Sequence, residues 1–306
     1  MSARWVAGNV RARALSSRRV GTDGARALAA APSLDDAVRQ LAATPYGRDV
    51  HAGQTLAQAQ HAVGATLLWH LRVLAGWQPR EGVESVRLLA GGFEITNSDE
   101  LLLRLRGGSA EEPYQLGRLG VAWRRLVSAA SRAEVREILA ASAWGDPGAD
   151  TPAAIELWMR MSWAARVSTA IPEAVRWAAG AAALRVAREV FQLGRRLDDP
   201  AGRRVAALLG PGALTAGTVA DFRRVLGPDA RWALSDVDAV DDLWRAEARW
   251  WHRLEADGFE LLHGNRFDGQ PVVGTVAVLA ADAWRVRAAL RVAAGGGAVG
   301  VFDVLV

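Results

Sequence analysis

Four aspartates, Asp236, Asp238, Asp241 and Asp242, stand within seven positions of one another. Clustered carboxylates are a common way to hold magnesium. If the segment is helical, Asp238, Asp241 and Asp242 share a face at i, i+3 and i+4, the arrangement a helical diphosphate-handling enzyme would use. Such an enzyme also needs a second acidic motif and basic groups for the diphosphate, and no partner motif stands out. An acidic first helical turn capped by Ser235 explains the same residues more simply, because the helix dipole favours anions there.

The other reactive side chains are thinly spread. His51, His61, His70, His252 and His263 include no i, i+4 pair and no His-Glu-x-x-His, so a protein zinc site has little support. Gly295-x-Gly297-x-x-Gly300 has the dinucleotide-binding spacing, but only six residues follow it, too few for the helix such a loop must open. Trp250-Trp251 between Arg249 and Arg253 could stack bases in a single-stranded nucleic-acid groove. Most of the 13 tryptophans fall at helical spacing, however, which is the mark of core packing. There is no cysteine and no lysine; all 37 basic residues are arginine, which excludes thiolate chemistry, a Schiff-base lysine and the lysine of a phosphate-binding loop. No nucleophile-elbow sequence offers a serine hydrolase. No catalytic constellation emerges, and no cofactor is expected.

The elements that would position these residues are helical. Of 306 residues, 51% are apolar, enough for a sizeable core. Against 33 acids the arginines leave a net charge of only +4, which favours a salt-bridged surface over a nucleic-acid footprint. No window is apolar and long enough to cross a bilayer. The first 22 residues carry Arg4, Arg11, Arg13, Arg18 and Arg19 and no acid, which superficially suggests a transit peptide, but apolar residues at helical spacing favour an ordinary first helix. The chain reads as intracellular.

Ser33 with Asp36 predicts a capped helix through Val38 and Leu41, stopped at Thr44-Pro45. A long helix is expected from about His51 to Trp77. Another opens at Thr151-Pro152 and breaks before Pro172. A third is expected over Glu173 to Leu193. Val272 to Val276 and the tail from Val299 to Val306 are β-branched enough to read as strands.

An internal repeat organises the chain. Ser33 to Gly47 aligns without gaps to Ser131 to Gly145, with five identities in fifteen positions, and Ala220 to Gly227 parallels Ala133 to Ala140. In each copy an acid precedes a leucine by five positions: Asp36 and Leu41, Glu134 and Leu139, Asp221 and Leu226. An aromatic follows that leucine by five or six (Tyr46, Trp144, Trp232). Arginine pairs close each copy: Arg104 and Arg106, Arg185 and Arg188, Arg285 and Arg287. This predicts an all-α protein of three divergent helical subdomains, residues 1–110, 111–210 and 211–306, sharing a core.

With these residues in view, the chain resembles the C-type subunit family of the V/A-type rotary ATPases, whose eukaryotic vacuolar member is the d-type subunit. The resemblance lies in Asn9-Val-Arg-Ala-Arg-Ala-Leu15, in Leu41-Ala-Ala-Thr-Pro-Tyr46, and in Phe93-Glu-Ile-Thr-Asn97 followed by Leu102-Leu-Arg104. It ends in the stretch from Pro271 through Asp282-Ala-Trp-Arg-Val-Arg287 to Gly297 and Phe302. The family more often has Glu where Asp282 stands and an aromatic near Thr275, and the Gly91-Gly92 pair is placed to interrupt a helix. The resemblance implies a funnel of three pseudo-symmetric helical subdomains and a mostly helical C-terminal tail. It implies a non-catalytic component linking the central stalk to the proteolipid rotor ring, peripheral on the cytoplasmic face of a membrane, with lipid head groups possible at the rim. The six paired arginines would contact partners or brace subdomains. Two other classes remain open from sequence: a magnesium-dependent helical enzyme using Asp236 to Asp242, and an arginine-rich nucleic-acid-binding protein.

Overall fold

The computed structural model describes residues 3–197, 199–264, 267–295 and 302–303. Among them every regular element is helical and there is no strand. A leading α1 (Val6–Ser16) precedes α2 (Gly21–Ala29), the short α3 (Leu34–Ala42), the long α4 (Leu56–Gly76), and a second long stretch in two pieces, α5 (Arg80–Leu89) and α6 (Gly91–Leu105). There follow the one-turn α7 (Trp123–Leu126), the short α8 (Arg132–Ala140), the long α9 (Pro152–Ala170) and α10 (Val175–Ala187). The remaining helices are α11 (Asp199–Leu209), the short α12 (Val219–Val225), α13 (Pro228–Arg231), and the long α14 (Leu243–His263) and α15 (Gln270–Ala294).

Each short helix starts the same way. Ser33, Ser131 and Thr218 are extended N-cap residues whose hydroxyls accept from the amides of Asp36, Glu134 and Asp221 at 3.2, 3.2 and 3.1 Å. The acid in that first turn also meets the positive end of the helix dipole. The first two copies stop alike as well. Thr44 and Ser142 donate to the carbonyls of Leu41 and Leu139 at 2.6 and 2.7 Å, and accept from the amides of Tyr46 and Trp144 at 3.2 and 3.1 Å.

The chain forms two compact units, residues 1–86 with 251–306, and residues 87–250. In the first, α15 packs against α1, α2, α3 and α4 and is buried almost all round. In the second, α9 packs on α6, α10 and α11, and α10 on α13. A core of Ile95, Leu102, Leu126, Val135, Leu139, Trp144, Ile155 and Met159 sits among α6 to α9.

Several expectations are corrected. Val272 to Val276 lie inside α15, not in a strand: a helix buried on every side needs no polar face, so its apolar run carries no helical period. The expected strand from Val299 falls outside the described residues apart from Phe302 and Asp303, and Gly297 and Gly300 of the glycine string fall there too. The helix expected from His51 begins instead at Leu56, where Thr55 and Gln58 form a reciprocal capping box. Glu173 to Leu193 is three elements: a 3-10 turn over Pro172–Ala174, α10, and a π turn over Arg188–Gln192. Ser235 caps no helix; it follows a 3-10 turn and its hydroxyl donates to the Trp232 carbonyl at 2.9 Å. The helix does break at Ala90, beside Gly91-Gly92.

Candidate functional site

Two buried carboxylates are built into the same arrangement. Asp282, on α15 and fully buried, accepts from the backbone amides of Val20 and Gly21 at 3.0 and 2.7 Å and from the Tyr46 hydroxyl at 2.9 Å. Glu94, on α6 and 1% exposed, accepts from the amides of Val121 and Ala122 at 2.5 and 2.6 Å and from the Trp144 indole N–H at 3.1 Å. Each acid thus ties a long helix to the start of one short helix and to the aromatic beyond the next. Tyr46 and Trp144 occupy the same place in the sequence repeat. Gly21, at φ +75°, gives the backbone the left-handed turn that presents its amide to Asp282.

The electrostatics follow from burial. Desolvation pushes the Asp282 carboxyl above its ordinary range, against the pull of its three donors, and burial beside that carboxylate pushes the Tyr46 phenol well up. Such a junction is costly to desolvate and rigid once its donors are placed.

A third junction, of a different make, shares with the second an indole packed on a glycine. In the second junction the Trp163 indole donates to the Leu88 carbonyl at 2.9 Å, three residues before Gly91, where an added Cβ would lie 2.8 Å from the Trp163 ring. In the third, the Trp250 indole donates to the Trp177 carbonyl at 2.9 Å, three residues before Gly180, where a Cβ would meet Trp250, Ala233 and Trp232 at 3.0 to 3.1 Å. The position three beyond Gly91 is Glu94; three beyond Gly180 it is Ala183, fully buried. Small residues and indole rings close this junction by contact.

The paired arginines separate into two groups. Arg285 is buried and grips both Glu255 oxygens, at 3.1 and 2.5 Å. Arg185 meets Glu189 at 2.6 Å and Glu156 at 3.7 Å, and Arg188 pairs with Glu247. Glu189 also accepts from Arg195 at 3.0 Å, which anchors the π turn. Arg104, Arg106 and Arg287 are exposed. The aspartate cluster is dispersed: Asp238 lies before the helix and pairs with Arg223 at 3.0 Å, Asp242 pairs with Arg245 at 2.5 Å, and Asp236 is exposed in a left-handed turn at φ +58°. Among the described residues no group of His, Asp and Glu could hold a metal ion.

Among the histidines only His70 is buried, where desolvation and then the fields of Arg18, Arg48 and Arg11 hold its pKa down at about 4. Trp250 is buried as described, and Trp251 stacks on Trp284 with ring centroids 5.5 Å apart. Sequence reasoning marks Tyr46, Trp144, Glu94 and Asp282 only as motif positions. A lone acid inside an apolar helix, such as Asp282, is the signal that it must be partnered. No helix among the described residues is long and apolar enough to cross a membrane. No protein-family model matches the chain, and no curated protein matches it.

Proposed function

We propose that this chain is the non-catalytic coupling component of a V/A-type rotary ATPase, seated between the central stalk and the proteolipid ring on the cytoplasmic face of a membrane. The observation that carries this reading is the carboxylate junction built twice, at Asp282 with Tyr46 and at Glu94 with Trp144, on matching positions of the sequence repeat. That is what a ring-seated adaptor of three related helical subdomains would need. A coupling component passes torque between two partners, so its work is lost wherever its own modules yield. Junctions fixed by three donors on one buried acid resist such yielding, as do close-packed indoles. Arg104 and Arg106, exposed at the end of α6, and Arg287, exposed within α15, are the paired arginines open to a partner; Arg185, Arg188 and Arg285 brace their own units.

The test is purification of the tagged chain from detergent-solubilised membranes of its native host, with the bound proteins quantified by mass spectrometry. The reading expects a proteolipid and central-stalk proteins in fixed proportion to the chain. Recovery of the chain alone, from a host that assembles a rotary ATPase, overturns it.

A further inference from the structure

The second unit holds an open cleft of about 890 Å³ between the loop over residues 145–148, the second half of α9, the start of α10, and α11. Two glycines shape the loop wall. Gly145 and Gly148 both take left-handed φ values, +79° and +81°, and a Cβ at Gly148 would lie 2.3 Å from the Pro200 ring at the start of α11. The Trp158 indole is fixed by its N–H, which donates to the Trp144 and Gly145 carbonyls at 2.9 Å each. Its ring carries the Arg204 guanidinium, 4.6 Å from the ring centroid. Ala165, Val175, Ala179 and Leu208 make other parts of the wall apolar.

The charges in the cleft lean positive. Asp146 and Asp229 are the acids that line it. Asp146 is already matched from outside the cleft: its two oxygens accept from Arg136 at 2.8 and 3.1 Å, and it accepts from the Gly148 amide at 2.8 Å. Asp229 is exposed. Against it stand two arginines of α11, Arg203 and Arg204, which have no acid partner among the described residues. A donor is also left over: the buried hydroxyl of Ser168, on the α9 wall, has no hydrogen-bond partner among the described residues, an uncommon state for such a group.

We infer that this cleft binds a small anionic molecule, with a phosphate or carboxylate group on a flat apolar body. The arginine fork matches the oxygens of either group. The volume is that of a small-molecule site, in which apolar wall covers the body of the ligand and a few polar groups fix its orientation. A guanidinium already held on an indole face has less freedom to lose when the anion arrives. The site lies within one unit and takes no rotor component as its ligand, so it stands or falls separately from the coupling reading.

The experiment is isothermal titration calorimetry of the purified full chain with adenosine monophosphate and with benzoate, a phosphate and a carboxylate on flat bodies. Adenosine and inorganic phosphate serve as the two halves alone. Saturable binding of adenosine monophosphate or benzoate is expected, tighter than that of either half, and the tighter of the two identifies the anionic group. Arg204→Gln should weaken it about tenfold, through the loss of charged hydrogen bonds. Ala165→Leu, which narrows the cleft without changing its charge, should weaken it as well. Arg132→Gln, at an exposed arginine of the same unit outside the cleft, should leave it unchanged. Circular dichroism and melting curves check that each variant is folded, and Arg203→Gln, at an exposed site, is a second electrostatic variant. No saturable binding of either molecule overturns the inference, as does binding that survives the cleft variants or that inorganic phosphate alone equals.

Discussion

Tyr46 gives its hydroxyl hydrogen bond to Asp282, 236 residues later in the chain, at 2.9 Å. Trp144, its counterpart in the sequence repeat, gives its indole N–H to Glu94 at 3.1 Å. Both acids also receive two consecutive backbone amides, so one solution to joining helices is used twice in this chain.

Glu94→Gln and Asp282→Asn should each lower the free energy of unfolding by about 2–3 kcal/mol, because an amide N–H₂ would replace an oxygen that faces a donor. Tyr46→Phe, which removes one donor and leaves the backbone pair intact, should cost about 1 kcal/mol. Urea titration followed by circular dichroism measures all three. Equal stability of the wild type and the Glu94→Gln protein would show that the acid is not holding the junction.

Stability should depend on pH through His70. Its folded pKa of about 4 lies below the ordinary 6.5, so between those values the unfolded chain binds a proton that the folded one does not. Stability therefore rises with pH across that window and is lost as pH falls from 6.5 toward 4. Asp282 acts in the opposite sense: its folded pKa is raised, so its contribution declines as pH rises above 3.8. Melting temperatures between pH 4.5 and 7 should fall less steeply on acidification in His70→Gln than in the wild type.

The arginine pairs give a sharp contrast. Arg285→Ala strands the Glu255 carboxylate, which has 17% of its side chain exposed, and should destabilise the first unit by about 3 kcal/mol. Arg285→Lys should recover only part of this, since an ammonium cannot make both hydrogen bonds. Arg287→Ala, at an exposed site, should change stability by less than about 0.5 kcal/mol. Thermal unfolding of the three proteins side by side separates these cases.

At the third junction, Gly180→Val should cost about 2 kcal/mol, because its side chain must displace Trp250, Ala233 and Trp232. Gly92→Ala is the matching control: it is exposed in a helix with nothing within 4 Å of a Cβ, and should stabilise by about 0.5–1 kcal/mol. Chemical denaturation midpoints read both effects.

What is legible in the sequence is what is decided within one or two turns. Ser33 with Asp36, Ser131 with Glu134, the Thr44-Pro45 stop and the Thr151-Pro152 start are local hydrogen-bonding chemistry, and each stands where the residues place it. The buried valines of α15 mislead because a helix enclosed on all sides has no polar face to set a period. Ser235 misleads because a left-handed turn at Asp236 delays the helix start to Val240. The junctions are hidden for a different reason: Glu94 meets Trp144 across 50 residues and Asp282 meets Tyr46 across 236, and nothing local signals either partner.

The central proposal is that the chain seats on a proteolipid rotor ring, and direct binding to the ring tests it. Native mass spectrometry of the purified chain mixed with the host's detergent-solubilised proteolipid ring should show a complex of the chain with the intact ring. Absence of any complex would contradict the proposal.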